Sequence, residues 1–361
     1  MTSLMSHQTL IMRVFLLIAA VCLAAATPPS PTPVSLEVAV QRPMQSLYQI
    51  EEQASANGWT AELAKTAGDI WEGVGDFSRA VAYWELAAKL QPDGVVLTRR
   101  LAQAYLELER WSQSVIALSR VVEQSDDNWA HFQLGILQSV YDSHAAAEHL
   151  NLAARDPLYQ GVVTALLPAV EERSDLVRAM RIGTTLATYT YWPAAEYVFQ
   201  YGASMTPVFP EALAYVGIAR DQQGKDGSVQ IAQAVALAPK TAQVRYLEGI
   251  HFQLTQNSDA SLQSLLLAAT LDPLNPAYAA ELGTTYDRMG IAVSAEYWYK
   301  AAVTVSNNDP RFEDLLNAFY QQPSVNIITA TPVVTLTPAA LTPSASPTPT
   351  LTPEAPTTVS P

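Results

Sequence analysis

The chain has 361 residues, 49% of them hydrophobic, and a formal charge of −14 from 34 acidic against 20 basic side chains. Its cations are scattered, which excludes the clustered positive charge that nucleic-acid backbones require and favours a neutral or basic partner. The only cysteine is Cys22, so disulfides within the chain are excluded.

Residues 1–26 carry one charge, Arg13, followed by an unbroken apolar run from Val14 to Ala26 and then Thr27, Pro28 and Pro29. A basic start, a short apolar stretch and small residues at its end predict an export signal. The run is shorter than the ~20 residues of a membrane-spanning helix. The expected location is therefore extracellular, periplasmic or at the cell surface, with membrane contact only through this segment if it stays uncleaved. Residues 27–42 are rich in Pro and polar side chains and predict a linker.

A helical body is expected over 43–322. Its first helix, from about Met44 to Asn57, places Leu47, Ile50 and Ala54 on one face, with Gly58 suited to its end. Small residues then return at Gly68, Ala102, Gly135, Gly183, Gly217, Gly249 and Gly283, with spacings of 34, 33, 48, 34, 32 and 34. A second ladder, Ala87, Val121, Ala153, Gly202, Ala234, Ala268 and Ala302, keeps step 17 to 19 residues behind. Two ladders in phase predict a repeated pair of helices whose backbones approach closely at the small positions. The long step leaves room for an additional helix at about 158–172, with Val162, Leu166, Leu167 and Val170 as its apolar residues and Pro168 kinking or shortening it. It divides about seven repeats into three and four.

Arg311 to Phe319 puts Phe312, Leu315, Leu316 and Phe319 on one stripe and predicts a closing helix. From Pro323 the composition changes to nine Pro and ten Thr, with Glu354 the sole charge. Such a segment, 323–361, cannot bury a core and predicts a disordered tail, either a stalk-like or O-glycosylated spacer or plain solvated chain.

Ala64, Ala67, Gly68 and Trp71, followed by Gly75, Ala80, Trp84, Ala87 and Pro92, resemble the tetratricopeptide repeat; so do Leu282, Gly283, Tyr286, Gly290, Ala295, Tyr299 and Ala302. The resemblance covers about residues 61 to 309 and implies an all-α fold, a helix-turn-helix solenoid wound as a right-handed superhelix. Arg220 and Gln138 stand where the family has an aromatic and Glu248 where it has Leu, so looser packing is expected there.

The resemblance further implies a protein or peptide ligand in a concave groove lined by first helices. The corresponding residues here are Lys65, Arg99, Gln103, Phe132, Ile136, Thr184, Tyr246, Ile250, Gln253, Thr284 and Asp287, together with Asp69, Trp129, Met180, Ile218 and Asp221. Trp129, Phe132 and Ile136 stand equally well as residues packed beneath the additional helix. One branch of the family grips a terminal carboxylate, for which Lys65 is suitably placed and Asp69 is not. His144 and Glu148 have a metal-ligand spacing without a third ligand, and a polar helix surface explains them as well. No catalytic constellation, phosphate loop, cofactor motif or metal set is present, and no enzymatic activity is expected. The readings are an exported protein-binding scaffold or, alternatively, a cell-envelope structural or assembly component with the array as spacer and the tail associated with the wall.

Overall fold

The computed structural model describes residues 36–92 and 94–321. The expected export signal, most of the linker and the Thr/Pro-rich tail lie outside the described residues. Those that are described form seventeen α-helices and no strand.

The first helix, α1 (Leu36–Asn57), begins earlier than the expected linker boundary at residue 42 and runs through Pro43. The stretch Leu36–Gln41 contains neither Pro nor Gly, and Pro43 deprives only one carbonyl of its amide partner. Leu47 and Ala54 are buried, and Gly58, at φ +83°, closes the helix by donating its N–H to the Ala54 carbonyl at 2.8 Å.

The chain divides into two compact units, one up to Leu167 and one from Pro168. The first contains three helical hairpins: α2 (Ala61–Gly73) with α3 (Phe77–Leu90), α4 (Val95–Glu107) with α5 (Trp111–Gln124), and α6 (Asn128–Gln138) with α7 (Ser143–Ala153). The additional helix, α8 (Pro157–Val170), carries the division within it. The second unit contains four hairpins: α9 (Asp175–Thr188) with α10 (Trp192–Ala203), α11 (Pro210–Gln222) with α12 (Ser228–Leu237), α13 (Ala242–Leu254) with α14 (Ser258–Leu271), and α15 (Pro276–Arg288) with α16 (Ala292–Val305). It ends with α17 (Pro310–Tyr320). None of the described helices is long and apolar enough to cross a membrane.

Local chemistry sets the helix starts. Thr60, Asp76, Asp127, Asp142, Ser174 and Asn257 each stand just before a helix and accept a first-turn amide, satisfying donors the helix itself cannot. In six of the seven hairpins the turn passes through a left-handed residue, which is Gly at Gly75, Gly224 and Gly290.

Packing within six of the seven hairpins follows one rule: the small residue of the first helix receives a large residue of the second. A Cβ added at Gly283 would lie 2.6 Å from the Tyr299 ring, and one at Gly249 would lie 2.6 Å from Leu265. Trp84 seats on Gly68, Leu150 on Gly135, Phe199 on Gly183 and Ile231 on Gly217 in the same way. All these large residues are buried. In the closing helix Phe319 is buried against Tyr299, Ala292 and Ala295, while Phe312 and Leu315 cover Ala279, Ala280 and Ala302.

Two of the residues that depart from the repeat pattern have found polar solutions. Arg220 donates to buried Glu196 at 3.0 Å and to the Asp226 carbonyl at 3.1 Å, and Glu248 pairs with Arg245 at 2.9 Å. At Gln138 the buried side-chain oxygen has no hydrogen-bond partner among the described residues.

Candidate functional site

In the first unit most of the charged first-helix side chains are engaged within the fold. Asp69 accepts from Arg100 Nη1 at 2.6 Å and from Trp84 Nε1 at 2.9 Å. Arg100 also binds Glu72 and lies 4.6 Å over the Trp84 ring. Arg99 donates from Nε to Asp127 at 2.6 Å and lies 4.4 Å over Trp129. Each guanidinium thus joins a carboxylate to an aromatic face. Lys65 is half-buried and Gln103 exposed.

Phe132 and Ile136 leave the expected groove. Both are buried, and Phe132 stacks on Tyr159 of α8 with centroids 4.5 Å apart and planes at 20°. The additional helix covers Phe132, and with both side chains buried neither offers a surface to a ligand.

His149 also turns inward. Its Nδ1 lies 2.8 Å from Nδ1 of His131, so one ring donates to the other, while His144 meets Glu148 at 3.4 Å on the exposed side of α7. Burial lowers the pKa of both members of the pair. Among the described residues no three His, Cys, Asp or Glu side chains gather to hold a metal ion.

The second unit brings its first-helix residues into one network. Gln243 on α13 donates to the Tyr215 hydroxyl of α11 at 3.0 Å and accepts from the Tyr278 hydroxyl of α15 at 3.0 Å, linking three successive hairpins. Gln253, about three turns further along α13, donates to Glu281 and to Thr285 at 2.8 Å each and accepts from Arg288 at 3.0 Å. Tyr246 and Ile250 are half-buried over the cluster of Ala214, Ile218, Ile231, Ala234, Val244 and Leu247, and the Tyr246 ring leans on Tyr278 at 5.1 Å. Ile218 is thus core.

Asp221 is held beneath the face, accepting from the Gly227 amide at 3.0 Å and facing His251 Nδ1 at 2.7 Å. Thr284 and Thr184 direct their hydroxyls to their own helices, at the carbonyls of Ala280 (3.1 Å) and Met180 (2.8 Å). Asp287 is half-buried on α15.

Burial raises the pKa of Tyr215, Tyr246 and Tyr278 and that of the Glu281 carboxyl. The face therefore offers neutral hydroxyls, fixed amides and one sunken carboxyl group. Tyr215, Gln243, Tyr278 and Glu281 were not among the expected groove residues. The groove positions that the repeat resemblance implies skip Glu281, and only the tyrosine and glutamine content of consecutive first helices hints at the network.

No protein-family model matches the chain, and no curated protein aligns with it. Among solved structures it is similar to a tetratricopeptide repeat protein from Parabacteroides merdae, at 12% identity over 78% of this chain and 99% of that one, TM-score 0.30. It is also similar to yeast Tom70, at 12% identity over 72% of each chain, TM-score 0.33. The Cut9–Hcn1 hetero-tetramer of the APC/C gives 15% identity over 80% of this chain and 49% of that one, TM-score 0.28. The repeat assignment rests on the chain's own spacing and on the large residue seated over a small one in hairpin after hairpin. The fold is that of tetratricopeptide-type helical hairpins.

Proposed function

We propose that this chain is a scaffold that holds a partner polypeptide non-covalently against the first-helix face of its second unit, and that it works outside the cytoplasm. The observation that carries the binding reading is the Tyr215–Gln243–Tyr278 ladder. It fixes three hairpins in register while Tyr246 and Ile250 stay accessible beside it. A rigid face that mixes aromatic area with oriented amides suits an extended peptide or an amphipathic helix. Support for export is the charged-then-apolar segment over residues 1–26.

Crosslinking with mass spectrometry on intact cells tests both parts. Tyr246→Ala with Ile250→Ala is expected to remove crosslinks to the partner, while Tyr141→Ala, at an exposed position of the first unit, keeps them. Undiminished crosslinking by the double variant, with helicity preserved, would reject this face. Recovery of the protein in the cytoplasmic fraction would reject export.

A further inference from the structure

On the first-helix face of the second unit, two polar groups have incomplete bonding. Glu281 of α15 is partly buried; one carboxylate oxygen accepts from Gln253 at 2.8 Å, and among the described residues the other has no partner. Tyr246 of α13, half-buried, leans its ring on Tyr278, which lies one turn before Glu281 on α15, and the Glu281 charge acts on it; its hydroxyl is equally without a partner among the described residues. The nearby cation, Arg288, is committed to the Gln253 oxygen at 3.0 Å and makes no ion pair with Glu281.

A sunken carboxylate oxygen next to a free hydroxyl, both acceptors, matches a compact cationic donor. An ammonium group carries three N–H donors and no acceptor, and a charge-assisted bond is roughly twice as strong as a neutral one. The excess of 34 acidic over 20 basic residues draws a basic partner toward the chain and disfavours an acidic one. We infer that Glu281 and Tyr246 form the seat for a lysine side chain of a basic partner peptide lying along this face. The inference rests on the protein-binding reading above and adds the chemistry of the partner.

The test uses the full chain and three short acetylated, amidated peptides of equal length that differ only in carrying central lysine, glutamate or serine residues. Calorimetric titration at low salt is expected to rank them lysine, serine, glutamate, with the lysine peptide about tenfold tighter than the serine peptide. Glu281→Gln keeps the acceptor for Gln253 and is expected to bring the lysine peptide down to the serine peptide's affinity. Tyr246→Phe is expected to weaken it about threefold.

A pH profile separates the seat from diffuse attraction. Burial raises the Glu281 carboxyl's pKa. Burial raises the pKa of the tyrosines facing it, Tyr246 and Tyr299, away from this range, and the Arg288 charge opposes the rise at Glu281 without cancelling it. The lysine preference should therefore fade as pH drops through the raised carboxyl value in the wild type, should be flat in Glu281→Gln, and should persist in Asp259→Asn, at an exposed carboxylate of the second helix α14. A lysine preference that survives Glu281→Gln overturns the seat. Equal binding of all three peptides overturns it while leaving the protein-binding face intact, and binding of none overturns both.

Discussion

The two units use the same hairpin and present different first-helix surfaces. In the first, arginines are folded back onto the fold itself: Arg100 between Asp69, Glu72 and the Trp84 ring, Arg99 between Asp127 and Trp129. In the second, uncharged Gln243 and Gln253 join neighbouring hairpins, and they leave the Tyr246 hydroxyl and one Glu281 oxygen open. A ligand on the first surface must displace bonds already made, whereas one on the second meets groups already oriented. The repeat backbone thus supplies positions, and a few side chains decide whether those positions hold the protein together or hold something else.

The sharpest way to break this contrast is at Trp84, which fills the hairpin over Gly68, donates to Asp69 and carries Arg100 on its face. Trp84→Ala is expected to lower stability by about 3–5 kcal/mol, since a large buried ring is lost along with its polar ties. Thermal unfolding checks this, and a loss below about 1 kcal/mol would show that the arginine–tryptophan stack is decoration. The counterpart in the second unit is smaller. Gly283→Leu forces a side chain into the Tyr299 ring and is expected to lower stability by about 1–3 kcal/mol. An unchanged melting temperature would mean that the small residue is not the contact point of the helices.

Much of the fold was legible because the seat and its filler recur: Gly135 with Leu150 and Gly249 with Leu265 are the same packing event written twice. The left-handed turn was legible where Gly occupies it, at Gly75, Gly224 and Gly290, and hidden where Glu109, Thr190 and Gln256 adopt the same backbone. Phe132 could be read as groove or core from its helix position alone; Tyr159 decides it, by a contact that no local pattern encodes. Arg220 looked like a packing defect because its carboxylate partner, Glu196, lies in the preceding hairpin and accepts from Lys225 as well, at 3.2 Å. Glu281 was missed for a related reason: its importance comes from what surrounds it on α13.

Acid and neutral conditions should separate the two units in opposite senses. In the first, burial lowers both His131 and His149 below the usual histidine value, with the neighbouring ring adding to the effect on His149 and Asp126 opposing it on His131. A depressed folded-state pKa means that their contribution is complete above the unfolded value of about 6.5 and is lost as pH falls through the folded value. In the second unit Glu281 is raised by burial, so its contribution is complete below the unfolded value of about 4.3 and is lost as pH rises through the folded one. Hydrogen exchange, corrected for its intrinsic pH dependence, should show α6 and α7 losing protection as pH falls below about 6.5 while α13 and α15 keep or gain it. His149→Gln should flatten the first response, and Glu281→Gln should raise the melting temperature at neutral pH by removing the sunken charge. A Glu281→Gln protein less stable than wild type at neutral pH would mean that the carboxylate serves the fold. A more stable one that no longer prefers lysine would mean that the charge is kept for binding at the expense of stability.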